Sequence, residues 1–251
     1  SIIDKKNNLI PKFLFVSNSV PEKQRDLTII EGNEKVLKAR LSDANYFWKT
    51  DISNTFENWN EKLKNVLFYE GLGSLHDKIT RMSKISNNFA CYFDINKSLV
   101  KEAVNLSKAD LVSEMVNEFP ELQGIMGGYY AKLKGKPKEV SIAIYEHYKP
   151  KGISDDIPKT KLGSLLSIVD KIDTLTSFFV IGKNPSGSKD PFALRRCGFS
   201  IVQVLIKSKL NISFNDVFSL SLTLHNHYKK NVETSLIGFI IDKLKFILKG
   251  Q

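Results

Sequence analysis

Long apolar runs are missing from this chain. No uninterrupted stretch approaches the roughly 18 residues that suggest a membrane span, so none is expected. Cysteine is scarce: Cys91 and Cys197 are the only two, without CxxC spacing and on apolar helical stretches. That excludes a disulfide framework and a thiolate metal site, and leads us to expect two buried free thiols in a reducing compartment. No Walker loop, GxSxG elbow or Rossmann glycine pattern occurs, so the common phosphate, acyl-transfer and dinucleotide chemistries have no anchor here. The first residues, Ser1-Ile-Ile-Asp-Lys-Lys, form no signal peptide and lack an initiator methionine. The chain is therefore expected to be a piece of a longer protein. Acidic residues also fall short. Asp and Glu number 27 against 37 Lys and Arg, for a net charge of +10 over 251 residues. An anionic partner follows from that balance, nucleic acid first among them; a lysine-rich proteome would produce the same surplus. The apolar fraction of 42% and charged fraction of 25% are those of an ordinary folded domain with a real core.

Periodicity predicts helices almost throughout. Leu9–Ser17 is the one strand candidate, short and apolar, and Thr28–Ile30 is the only segment nearby to pair with it. From Asn33 the spacing turns helical, with Val36, Leu37, Leu41, Ala44, Phe47 and Trp48 on one face. Further helices are predicted over 56–69, from Leu75 behind a Ser74 cap, and over 96–117. Others are expected from Pro137 through His147, across Leu162–Phe179, and over 190–207, 214–228 and 232–248. Glycines in Gly124-Ile-Met-Gly-Gly128 cost a helix stability. They mark either a closely packed neighbouring backbone or a helix start near Gln123.

The chain is organised around Gly182-Lys-Asn-Pro-Ser-Gly-Ser-Lys-Asp-Pro-Phe-Ala-Leu-Arg-Arg196, a turn between two predicted helices. Asp190-Pro191 reads as an N-cap followed by proline at the first helical position. Lys183, Lys189, Arg195 and Arg196 crowd that helix start, whose free N–H groups attract anions. The turn is either a phosphate seat or a solvated, well-capped start. Asp110, Asp170 and Asp173 sit on strongly apolar helices, where carboxylates need partners. Ion pairs with Lys108, Lys171, Arg81 or Arg195 are the expected ones, including Arg195 with Asp170 or Asp173.

His76-Asp77 looks like the dipeptide of metal-dependent HD phosphohydrolases, which also need an upstream histidine and a later aspartate. No histidine precedes His76, His147 lies far downstream near a helix end, and His225 and His227, two apart, fall on different faces. A metal site from these four histidines is not expected.

Six segments carry a clearer resemblance. Glu31-Gly-Asn-Glu-Lys-Val-Leu-Lys-Ala-Arg-Leu-Ser-Asp-Ala44, Leu72-Gly-Ser-Leu-His-Asp-Lys-Ile-Thr-Arg81 and Ser107-Lys-Ala-Asp-Leu-Val-Ser-Glu-Met-Val116 all resemble the β subunit of bacterial heterotetrameric glycyl-tRNA synthetase. So do Phe119-Pro-Glu-Leu-Gln-Gly-Ile-Met-Gly127, Ile168-Val-Asp-Lys-Ile-Asp-Thr-Leu175 and the turn from Gly182 to Arg196. Their order over roughly residues 9 to 205 makes the set specific. The resemblance implies a mainly α fold: an HD-like helical bundle over 31–251, preceded by a short β remnant of an upstream domain in 1–30. It implies that this is the middle of a longer subunit, with the C-terminal anticodon-binding domain absent. In the family, glycine is joined to tRNA-Gly with ATP and Mg on a separate α subunit, within a cytoplasmic α2β2 heterotetramer. The fragment itself is then expected to hold no cofactor or metal. Lys108 and Asp110 match positions where hydrolases carry His-Asp, and Asp170 matches the later aspartate. A protonated lysine cannot ligate a metal, so the site is expected to be degenerate. The implied role is non-catalytic binding of tRNA and assembly with the α subunit. Expected phosphate contacts are Lys183, Lys189, Arg195 and Arg196, then Arg40, Lys78 and Arg81. An active HD-type phosphohydrolase, or a pure scaffold for the α subunit, is the alternative.

Overall fold

Residues 161–180 make the most apolar helical stretch of the chain, interrupted by Asp170 and Asp173, and a helix of that kind has to be surrounded. In the computed structural model, which describes residues 2–18, 20, 22–185, 190–225 and 230–249, this helix is α8 (Lys161–Val180), buried along nearly its whole length. Packed against it are α3 (Leu75–Phe93), α4 (Lys97–Leu106), α7 (Lys138–Glu146), α9 (Leu194–Lys207), α10 (Phe214–Thr223) and α11 (Lys230–Lys249). The remaining α-helices among the described residues are α1 (Lys23–Ser53), α2 (Phe56–Lys62), α5 (Glu114–Glu118) and α6 (Ile125–Leu133). The mainly α expectation holds. The chain divides into two compact units, Ser1–Tyr46 and Phe47–Gln251, with the division inside α1.

The first unit corrects the strand prediction. Among its described residues only an isolated antiparallel bridge, Ile3 to Leu9, forms. Asp4 closes the turn between them, its carboxylate accepting from the backbone N–H groups of Lys6 and Asn8, both at 2.8 Å. Residues 12–18 form no ladder, and Leu14 and Val16 are 87% and 99% exposed. A strand needs a neighbour for its backbone groups, and the expected neighbour, 28–30, is already wound into α1.

Two helix predictions in the second unit also break into pieces. The segment 56–69 is helical only to Lys62. A 3₁₀ turn, Leu63–Asn65, then leads into β1 (Leu67–Tyr69), which pairs antiparallel with β2 (Gly73–Ser74). Gly71 and Gly73 hold φ of 78° and 79°, the left-handed values this tight return requires. Ser74 then starts α3 with a reciprocal capping box. Its hydroxyl accepts from Asp77 N–H at 3.2 Å, and the Asp77 carboxylate accepts from Ser74 N–H at 2.7 Å. The segment 96–117 splits into α4, a 3₁₀ turn (Ala109–Val112) and α5. The orphan N–H groups at the start of α5 are met by Asp51 from the end of α1, which accepts from Glu114 and Met115 at 2.9 and 3.0 Å. Asp51 also accepts from the Tyr130 hydroxyl at 2.6 Å, and the Tyr130 ring lies against Trp48 and Trp59.

The glycines near 124–128 serve close packing. A Cβ on Gly128 would stand 2.9 Å from the Ser141 carbonyl oxygen and 2.8 Å from Tyr145 Cβ, so α6 and α7 meet backbone against backbone there. The cysteines differ from expectation: Cys91 is exposed and Cys197 half-buried, both as free thiols.

Candidate functional site

Asp170 and Asp173 lie one turn apart on α8 and face the start of α3 and the 3₁₀ turn after α4. The structure fills the space before them with cations. Lys108 Nζ stands 2.7 Å from Asp170 Oδ2, and Lys78 Nζ 2.9 Å from Asp170 Oδ1. Lys78 also reaches Asp173 Oδ2 at 3.2 Å and donates to the Thr174 hydroxyl at 2.7 Å. Arg81 grips Asp173 with two N–H groups, at 2.6 and 3.2 Å, and donates a third to the Leu72 carbonyl at 3.1 Å. This forked geometry is the stronger form of the contact. All five side chains are buried. Burial alone would push the Asp170 carboxyl up, but the charges of Lys108 and Lys78 outweigh it and hold the group well below the usual carboxylate range.

His147, at the end of α7, completes the arrangement. Its Nε2 lies 2.9 Å from Lys108 Nζ, and its Nδ1 lies 2.6 Å from the Ile144 carbonyl oxygen. An ammonium can only donate, so Nε2 accepts from Lys108 and the ring proton sits on Nδ1, donating to Ile144. Burial, then the neighbouring Lys108 charge, holds the imidazole neutral far below its usual pKa. The Tyr148 ring lies 4.0 Å from the same ammonium. A carboxylate and a neutral imidazole thus converge on one cation, and that cation is a lysine. Among the described residues no three His, Cys, Asp or Glu side chains gather as a metal-ligand set. Of the expected ion pairs, Lys108 with Asp170 and Arg81 with Asp173 form, with Lys78 as an added partner. Lys171 takes no part: its ammonium donates to the His147 and Lys149 carbonyls and the Ser167 hydroxyl, and burial lowers it to about 8.

Asp110 stands apart from these pairs. Its Oδ2 accepts from Gly124 and Gly127 N–H at 2.6 and 3.0 Å, holding α6 to the 3₁₀ turn, while Oδ1 meets no donor among the described residues. Burial raises the carboxyl to about 6 against the pull of those two bonds and of Lys108.

Phe192, beyond Asp190, stacks on Phe178 at 4.3 Å, and Tyr69 stands edge-on to both rings. Gly182, at φ 73°, ends α8. The helix start after the turn differs from the sequence prediction. Pro191 precedes the helix, Ala193 takes φ 55°, and α9 begins at Leu194. Asp190 reaches forward, and its carboxylate accepts from Leu194 and Arg195 N–H at 2.8 and 2.9 Å. The two N–H groups offered to a phosphate are thus already held by the protein's own anion. Lys183 and Arg196 are exposed, Arg195 is half-buried, and Lys189 lies outside the described residues. Arg40 is exposed on α1, in the other unit. Lys78 and Arg81 are corrected: their charges are satisfied inside the protein and do not face solvent. The His76-Asp77 pair is also absorbed locally, since Asp77 belongs to the capping box.

Sequence reasoning missed His147 and Thr174. A signal for His147 was present, because Val140, Ile144 and His147 share one helical face and the first two are core residues.

A family model described as glycyl-tRNA synthetase beta subunit matches residues 1–251. The glycine–tRNA ligase beta subunit of Rickettsia conorii is 44% identical over 250 residues, covering 100% of this chain and 37% of the relative. That of Buchnera aphidicola subsp. Schizaphis graminum is 44% identical over 251 residues, covering 98% of this chain and 36% of the relative. The chain therefore spans little more than a third of the length of these curated relatives. No described helix is long and apolar enough to cross a membrane.

Proposed function

Because the chain belongs to the glycyl-tRNA synthetase beta subunit family, we propose that it serves glycine–tRNA ligase as a non-catalytic module that binds tRNA-Gly and supports assembly with the α subunit. ATP, Mg and the joining of glycine to tRNA then belong to that α subunit, in a cytoplasmic α2β2 enzyme. The observation that carries the non-catalytic reading is the pair of ammonium groups, Lys78 and Lys108, on the two oxygens of Asp170. A divalent ion placed there would face two fixed positive charges within hydrogen-bonding distance of its ligand. Lys108 lies between a carboxylate and a neutral imidazole, so it vacates the position only at a large electrostatic cost. In this reading the HD-like metal site is built over and serves the core.

RNA binding is then electrostatic and geometric. The net charge of +10 and the exposed cations Lys183, Arg196 and Arg40 support it, with Arg195 and Lys189 completing the turn. The Asp190 carboxylate bars phosphate from the α9 N–H groups, so these side chains act as point charges around the turn. Lys78 and Arg81 have no place in this surface.

The test uses the whole ligase. Binding of tRNA-Gly is titrated against salt for wild type and for Lys189→Ala/Arg196→Ala. Each phosphate contact removed should lower the slope of log affinity against log salt by about 0.9. Unchanged affinity and slope would remove the turn from the interface and favour a pure docking scaffold. A stoichiometric divalent ion in the purified protein, lost with Asp170→Asn, would favour a phosphohydrolase instead.

A further inference from the structure

Between α6 and α7 lies a cleft of about 460 Å³ that neither the family resemblance nor the charge cluster accounts for. Its size falls within the roughly 300–1,000 Å³ of small-ligand sites. The walls are Tyr129, Ile142 and Tyr145, and the rim carries Lys132, Lys136 and Lys138. No carboxylate lines it. Lys136 is paired with Glu102 at 3.1 Å. Lys132 and Lys138 are exposed, and their ammonium groups meet no hydrogen-bonding or ion-pair partner among the described residues. The tyrosines are 53% and 44% exposed, and neither ring stacks on an aromatic or cationic neighbour among the described residues. The close approach of the helices at Gly128 forms the floor, with Tyr145 Cβ lying where a larger residue 128 would project.

Open ring faces, an aliphatic wall and unpaired ammonium groups match a planar aromatic ligand that carries negative charge. We propose that this cleft seats an unpaired nucleotide of an RNA, its base laid against Tyr129 and Tyr145 and its phosphates met by Lys132 and Lys138. An acidic peptide would use the lysines but has no need of the rings. A duplex would use the lysines but keeps its base faces stacked inside. The proposal deepens the RNA-binding reading above and rests on it: it gives the module a single-strand subsite separate from the Gly182–Arg196 turn.

The test measures tRNA-Gly binding by the whole ligase over a range of salt concentrations. Tyr129→Ala/Tyr145→Ala keeps the Cβ that packs on Gly128 and removes both rings. Affinity should fall about tenfold or more, as base–aromatic contacts do on truncation. Tyr129→Phe/Tyr145→Phe should restore it. Lys132→Ala/Lys138→Ala should lower the salt slope by about 1.4, the single-strand value for two phosphates. Melting temperatures of the variants report whether they are folded. Wild-type affinity in a folded alanine pair would overturn the subsite while leaving the broader reading intact. Salt-independent binding by wild type would sink both. AMP is the second probe: AMP binding lost in the alanine pair with tRNA affinity unchanged would assign the cleft to a free nucleotide and refute the RNA subsite.

Discussion

Lys108→Met removes one buried ammonium while keeping most of the side-chain volume. Three contacts go with it: Asp170 Oδ2 at 2.7 Å, His147 Nε2 at 2.9 Å and the Tyr148 ring at 4.0 Å. Asp170 keeps Lys78 on its other oxygen at 2.9 Å, so its charge is only half uncompensated. Breaking a buried pair by deleting one partner costs about 3–5 kcal/mol. The surviving Lys78 contact and the apolar methionine place the expected loss near the lower end, about 3 kcal/mol. For a unit of this size that corresponds to a melting temperature lower by about 6–12 °C. Urea unfolding at neutral pH, with thermal unfolding beside it, measures both. The deficit should also depend on pH. Wild-type Asp170 has a depressed pKa, so its contribution is present above the unfolded value of about 4 and is lost as pH falls through its folded value. His147, held neutral when folded, costs wild type stability as pH falls below about 6.5, because the unfolded chain then binds the extra proton. Both groups relax toward ordinary titration once Lys108 is gone, so the gap between variant and wild type should narrow in acid. A loss under about 1 kcal/mol, the value of a solvated surface pair, or a gap that does not change with pH, would refute the claim that Lys108 is the cation of a buried site.

Other parts of the fold make sharper single-residue tests. Gly128→Ala brings a methyl group to 2.9 Å from a main-chain carbonyl oxygen that cannot retreat without moving α7; a loss of about 1–3 kcal/mol is expected in urea unfolding. Asp110 is raised to about 6, so between about 4 and 6 the folded state binds more protons than the unfolded one, and wild-type stability falls as pH rises through that window. Asp110→Asn cannot titrate, and its stability relative to wild type should therefore improve as pH climbs from about 4 to 6 in matched urea titrations. An unchanged difference across that range would mean that Asp110 titrates as an exposed carboxylate.

Some of this molecule was fixed by short-range rules that the chain carries on its face. The apolar side chains that dominate 161–180, interrupted by Asp170, Lys171 and Asp173, are enough to require a central helix, and Ser74 with Asp77 three residues on is enough to start another. Aspartates on apolar helices announced buried partners without naming them all. Six ordered segments carry the family resemblance in the sequence alone. Tertiary packing decided the rest. Lys78 and Lys108 lie 92 and 62 residues before Asp170, and no local rule selects them over Lys171 next door, whose side chain leaves α8 in another direction. His147 joins them because α7 ends where α8 passes. Asp190 reaches past the proline to the N–H groups of α9 because Ala193 takes a left-handed turn that no propensity of alanine predicts. The apolar run at 9–17 had the composition of a strand and lacked a neighbour. Propensity acts over a few residues, whereas a buried charge or a strand takes its partner from whatever the folded chain brings within about 3 Å.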